Sequence, residues 1–157
     1  MSSQSQSSIL WQWLKYSELT RDQAVALFEL RQNVFIVEQN CPFPDIDGLD
    51  PQATHLLAWE GSQLVAYLRL FDQFAPYQGR ASIGRICTHP EHRGGGLGRE
   101  LVMRGLQQID DTLAAPETEI GAQLYLQKFY QSFGFVPCSD VYIEDGIDHI
   151  HMLRKRP

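Results

Sequence analysis

Apolar and polar positions along the 157-residue chain change period several times, and each change marks an element. Residues 9–16 are rich in aromatic and aliphatic side chains (Trp11, Trp13, Leu14) and read as a first strand. Thr20-Arg21-Asp22-Gln23 has the form of a capping box, in which a hydroxyl and an amide side chain satisfy the N–H groups that open a helix. That helix is expected to run to about Phe35. Ala24, Leu27, Phe28, Leu30 and Val34 recur along it at helical spacing, with Arg31 beside them. From 38 to 51 the pattern dissolves. Pro42, Pro44, Pro51 and Gly48 oppose regular structure, and so long a loop in a small domain is commonly functional.

Strand patterns return at 55–60 and 64–71, separated by Gly61-Ser62 as in a hairpin, and again at 81–88. A helix is predicted over 98–113, a short strand over 118–122 and a helix around Tyr130. Strands over 136–144 and 149–153 flank the turn Asp145-Gly146. The order is β-α-β-β-β-α-β-α-β-β. With hydrophobic content of 43% and charged content of 20%, one globular domain over residues 9–157 is expected. Residues 1–8 read as a disordered polar tail rather than a signal peptide. A formal net charge of −6 argues against bulk nucleic-acid binding, which relies on Lys and Arg neutralising phosphates. The cysteines Cys41, Cys87 and Cys138 are odd in number and form no CxxC, so reduced thiols in a cytoplasm are expected. No apolar run approaches the ~18 residues that span a membrane.

Residues 82–101 carry the most chemistry. An apolar strand enters a proline turn, Arg93 opens Gly94-Gly95-Gly96-Leu97-Gly98, and an amphipathic helix pattern follows. Strand, glycine-rich turn and helix together make a pyrophosphate cradle. N–H groups at a helix N-terminus lack partners, and the helix dipole favours an anion there. The Walker pattern is absent, and the dinucleotide fingerprint G-x-G-x-x-G fails because Arg99 or Leu101 occupies its third glycine slot. Arg93-x-x-Gly96-x-Gly98 instead resembles the acyl-coenzyme-A signature of the GNAT N-acetyltransferases. Downstream, Phe129-Tyr130 and then Gly134-Phe135 resemble a second element of that family. Leu126, Phe129, Tyr130 and Phe133 form one apolar helix face that Gly134 ends. Val37-Glu38-Gln39-Asn40-Cys41-Pro42, Asp45-Ile46-Asp47-Gly48, Ile120-Gly121-Ala122-Gln123 and the segment from Glu144 to Ile150 extend the match to nearly everything from Trp11 onward. They are similar to the ElaA-type branch of the family, which has proline where Asp148 stands here.

The resemblance implies an α/β (α+β) GNAT fold: a mixed, mostly antiparallel central sheet with splayed central strands, flanked by helices. It implies transfer of an acetyl group from acetyl-CoA to an amine through a tetrahedral intermediate. The backbone around Ile86 and Thr88 would pair with pantetheine. An N–H near Ile86 or Cys87 would polarise the carbonyl. The N–H groups of Arg93, Gly94, Gly95, Gly96, Leu97 and Gly98 would hold the pyrophosphate, with charge from Arg93. Arg99 would either reach a phosphate or stay solvated, and Gln123 would bond coenzyme or acceptor. Tyr130 matches the family position for the acid that protonates the leaving thiolate.

For the base that takes the amine's proton, the candidates are Glu38, Asp45, Asp47, His89, Glu144 and His149. Glu38 ranks first because it follows the first helix, where the family's acceptor sites form. A cleft lined by Glu38, Asp45, Asp47 and Asp50 would favour a cationic amine. The acceptor's identity is open, and a homodimer is compatible with the reading. Three other readings compete: an acyl-CoA sensor without turnover, a partner-binding module built on the 41–51 loop, and a metal site at Cys87, His89 and His92. The last has no fourth ligand and no zinc-type spacing, so no metal is expected.

Overall fold

Residues 8–157 are described by a computed structural model. The expected tail over 1–8 therefore lies, apart from Ser8, outside the described residues. The chain begins with β1 (Ile9–Lys15) and α1 (Arg21–Gln32), whose capping box forms as expected: Gln23 N–H donates to Thr20 Oγ1 at 3.1 Å, and Thr20 N–H to Gln23 Oε1 at 2.9 Å. The helical path does not continue evenly to Phe35. After Gln32 it widens into a π-helical turn, Asn33–Glu38, which swings Phe35, Ile36 and Glu38 towards the middle of the molecule. Next come β2 (Thr54–Glu60), β3 (Gln63–Phe71), β4 (Ser82–Thr88), α2 (Leu97–Thr112) and β5 (Glu117–Gln123). The remaining elements are α3 (Gln127–Gln131), β6 (Val136–Pro137), β7 (Tyr142–Glu144) and β8 (Ile147–Lys155).

The expected strand over 136–144 is broken. Pro137 has no N–H to give the ladder, and two residues later the Ser139 side chain takes a backbone position: His151 N–H donates to Ser139 Oγ at 2.9 Å. Asp145 and Gly146 both have positive φ, 51° and 75°. They close the β7–β8 hairpin in two residues, as an Asp-Gly pair favours.

The strands form two antiparallel sheets, β1-β2-β3-β4 and a second centred on β8, which pairs with β5, β6 and β7. Among the described residues they join at one point. Ala81 and Thr118 form a parallel bridge, with Ala81 N–H donating to Glu117 O (3.1 Å) and Glu119 N–H to Ala81 O (2.9 Å). Arg80 braces this junction through Glu117 and Glu119 at 2.8 and 2.7 Å. Beyond it, β4 and β5 part.

The alternating side chains of β2 and β3 serve two cores. Leu56 and Leu68 pack with Leu101, Val102 and Leu106 of α2, and Tyr130 and Phe135 complete that layer. Leu57 and Tyr67 pack on the opposite face with Leu27, Leu30 and Val34, under α1. α2 lies close to the sheet because Gly105 has no side chain: a Cβ there would fall 2.9 Å from Leu68 Cδ2 and 3.3 Å from Ile83 Cγ2. Gly105→Val should therefore overpack this face and lower stability by about 1–3 kcal/mol, read as a lower urea midpoint with unchanged slope.

Candidate active site

Where β4 and β5 diverge, a cavity of about 610 Å³ opens between the sheets. One wall is β4, from Ile83 to Thr88, and the other is β5, from Ile120 to Gln123. The π-helical turn and residues 41–45 cover it on the α1 side, and the β7–β8 turn closes it on the other. Cys41 ties the two covers together by donating its Sγ–H to Asp145 O at 3.3 Å.

The splay has a local cause in β4. Tyr67 pairs with Cys87 and Arg69 with Gly84, so two residues of β4 oppose Leu68 alone. The bulged Arg85 sits at φ 48°, where a side chain is strained and must be held. Asp45 holds it: Arg85 Nε lies 2.8 Å from Asp45 Oδ1, and its Nη2 donates to Asp45 O at 2.8 Å. Asp45 also binds the wholly buried Arg31 at 2.8 Å, which in turn binds Asp50 at 2.7 Å. Arg69 reaches the same Asp50 at 3.0 Å and Asp47 at 2.6 Å. Three arginines thus meet three aspartates inside the protein. Burial opposes the charge on Asp47, but bonds from Arg69 and Leu49 N–H outweigh it and hold the carboxyl well below the usual range. Beside the network, His55 Nε2 donates to Asp50 O (3.0 Å) and Tyr67 Oη donates to His55 Nδ1 (2.6 Å). Burial keeps that imidazole's pKa below its ordinary value.

This network overturns the expected acidic acceptor cleft. Asp45, Asp47 and Asp50 are each paired with arginine side chains, and of the three only Asp45 lines the cavity. Glu38 does line the cavity, but its two oxygens lie 2.8 and 2.9 Å from Arg93 Nη1. It is held in an ion pair with that guanidinium. Arg93 also donates to Thr88 O (3.0 Å) and Thr88 Oγ1 (3.3 Å), so it links the cavity wall to the glycine turn.

The turn itself has the backbone expected of an anion cradle. Gly94 and Gly96 adopt φ of 88° and 86°, and Gly96 caps α2 with no side-chain bond to the helix's opening N–H groups. Gly95 and Gly98 are not forced to be glycine by a positive φ, and a Cβ at Gly95 would meet nothing within 4 Å. Such room along uncapped N–H groups suits a pyrophosphate. Leu97 anchors the start of α2 in the core. Arg99 donates to Ser132 Oγ at 2.9 Å and lies 4.5 Å over the Phe133 ring.

Tyr130 is buried and lines the cavity, and burial pushes its hydroxyl well above the ordinary range, so it stays protonated. Gln123, the last residue of β5, also lines the cavity and donates to Gln39 Oε1 at 3.1 Å. Ile86 and Thr88 face the gap, while the Cys87 side chain is buried under α1, where burial pushes its thiol up. His89 bonds Gln63 (3.1 Å) and His92 bonds Glu60, so Cys87, His89 and His92 serve separate partners. His149 and Glu144 stand together at the cavity's far side.

A cleft between splayed strands, a glycine-rich helix start and a buried tyrosine define an acyl-CoA-dependent transferase. The acetyltransferase (GNAT) domain matches residues 23–156, and the chain belongs to the GNAT family, within its ElaA-like branch. Protein ElaA of Escherichia coli K12 is 43% identical over 152 residues, spanning 94% of this chain and 97% of that protein. The crystal structure of E. coli ElaA superposes with a TM-score of 0.87 at 42% identity, covering 94% and 100% of the two chains. An acyl-CoA N-acyltransferase from Pseudomonas aeruginosa gives 0.89 at 41% identity, covering 94% and 99%.

Arg31→Met would strand Asp45 and Asp50 without their shared cation, and should cost about 3–5 kcal/mol in denaturant unfolding. The low-lying Asp47 carboxyl stabilises the fold fully above about pH 5, and that stability is lost progressively as pH falls below it. Asp47→Asn should flatten the fall in stability between about pH 5 and 2, measured by urea titration at each pH.

Proposed function

We propose that residues 9–157 act as one catalytic domain that moves an acetyl group from acetyl-CoA to a primary amine. The observation that carries this reading is the meeting of two features at Thr88. The strand gap and the uncapped α2 start adjoin there: a Cβ on Gly98 would lie 3.8 Å from Thr88 Cγ2. A thioester lying in the gap would have its pyrophosphate at the N–H groups of residues 94–98. Its acyl end would lie towards Tyr130.

Acetyl-CoA supplies an activated acyl carbon, and the chain's residues order the rest. The edge of β4 around Ile86 and Thr88 takes the pantetheine as it would a strand. An N–H of β4 near Ile86 or Cys87 polarises the carbonyl. Tyr130 stays neutral and so keeps a proton that it can pass to the sulfur as the C–S bond breaks. Arg93, paired with Glu38, braces Thr88 at the join of gap and cradle, and Gln123 orients the acceptor side through Gln39.

Titration calorimetry with acetyl-CoA tests this directly. Gly95→Glu fills the cradle without backbone strain and should abolish micromolar binding, whereas Tyr130→Phe should keep it. In a coenzyme A release assay with primary amines, Tyr130→Phe should lose roughly 100-fold or more in kcat. Binding without turnover by the unmodified chain would instead make it a sensor. Absence of binding would remove the acetyltransferase reading.

A further inference from the structure

The geometry points to His149 as the base that takes the acceptor's proton, with Glu144 as that proton's exit to solvent. This inference rests on the acetyl-transfer reading above. Most of the cavity's other titratable groups are committed elsewhere: Glu38 to Arg93, Asp45 to Arg31 and Arg85, Cys41 to Asp145 O, and Cys87 to the packing under α1, while Asp145 and Tyr125 are exposed. Tyr130 is held protonated by burial and suits the opposite role.

His149 differs in one respect. Its Nδ1 lies 2.7 Å from Ile147 O, and a carbonyl can only accept, so Nδ1 carries the hydrogen in the neutral ring. The lone pair is then on Nε2, whose nearest charged neighbour, Glu144 Oε2, is 3.8 Å away, longer than a hydrogen bond. Tyr142 stacks on the ring at 5.8 Å and 28° and fixes its plane. The ring is nearly buried at the cavity wall, while the Glu144 side chain is 60% exposed. A cavity-lining imidazole with a free Nε2 lone pair thus adjoins a carboxylate open to water. The groups facing His149 are Tyr142 and Glu144 from β7, Gln123 opposite it on β5, and His151 two residues on along β8; the neighbouring Asp148 points to the other face.

The step balances. An ammonium acceptor gives one proton to His149 Nε2, and the neutral nitrogen forms the C–N bond. The C–S bond breaks, and the thiolate takes the Tyr130 proton. The second nitrogen proton, released as the amide forms, restores Tyr130. The imidazolium proton leaves through Glu144. The net products are an amide, a thiol and one proton, with no change of oxidation state.

His149→Asn is the informative variant, because its amide can keep a donor near Ile147 O while removing Nε2. Coenzyme A release would be measured with an alkylamine, an arylalkylamine, a diamine and a lysine-containing peptide. The expected result is a loss of kcat/KM of about 100-fold or more at pH 7, with acetyl-CoA affinity within about twofold. The deficit should shrink as rising pH deprotonates the amine itself. Glu144→Gln should lose activity more mildly. Nitrogen-15 spectra of the imidazoles supply an arm that needs no acceptor, and should show His149 as the Nδ1–H tautomer. An Nε2–H tautomer, or His149→Asn turnover within threefold of the unmodified chain, overturns the assignment. Failure of the unmodified chain to bind acetyl-CoA overturns the acetyl-transfer reading instead, and the calorimetry separates the two.

Discussion

Everything on the acceptor side depends on the enclosure of Arg31, Arg69 and Arg85 with Asp45, Asp47 and Asp50. A guanidinium buried under α1 must be paired or the helix cannot pack. Two of the pairing partners lie in an irregular loop and Asp50 opens the 3-10 turn that ends it, so the loop is pinned from inside. The same pairing holds Arg85 in its strained bulge. A single charge-compensation requirement therefore links α1, the 39–51 segment and the kink in β4. It sets where the strands part, and hence where the cavity lies.

The cavity divides its labour by environment. The α2 end offers uncapped N–H groups and space above glycine, which suit phosphate. The buried middle keeps Tyr130 neutral. The far side, under the β7–β8 turn, holds a nearly buried imidazole beside an exposed carboxylate. Overall acidity plays little part, because many of the carboxylates near the site are neutralised locally. Two charges that looked available from their positions, Glu38 and Arg93, are used on each other.

Much of this was legible in the chain. The capping box at Thr20, the glycine turn at 94–98, the Asp145-Gly146 hairpin and the Phe129-to-Phe135 segment are local patterns whose backbone geometry follows from residue type. The arginine network was not legible, because its partners are separated by 14 to 40 positions and charge pairing at that range leaves no periodicity. One signal existed: Arg69 interrupts an apolar strand, LVAYLRLF, and an arginine there must find carboxylates. The triad Asp45-x-Asp47-x-x-Asp50 was read as substrate-facing when it answers that demand. The break in 136–144 was visible in Pro137 and Ser139. The role of His149 turns on one backbone bond to Ile147, which only the fold reveals.

The single bridge at Ala81 and Thr118 has a consequence for solubility. A sheet that splits in its middle owns four edges instead of two, and the inner pair, β4 and β5, carries backbone donors and acceptors that could recruit a strand from another chain. Outer edges can be guarded with charge or proline, but these cannot be, since the same bare backbone is needed inside the cleft. Protection falls to the covers, the π-helical turn and the β7–β8 hairpin, and to the thiol of Cys41 that spans them. The residues roofing the cleft therefore guard the fold against aggregation as well as shaping the space for an acceptor.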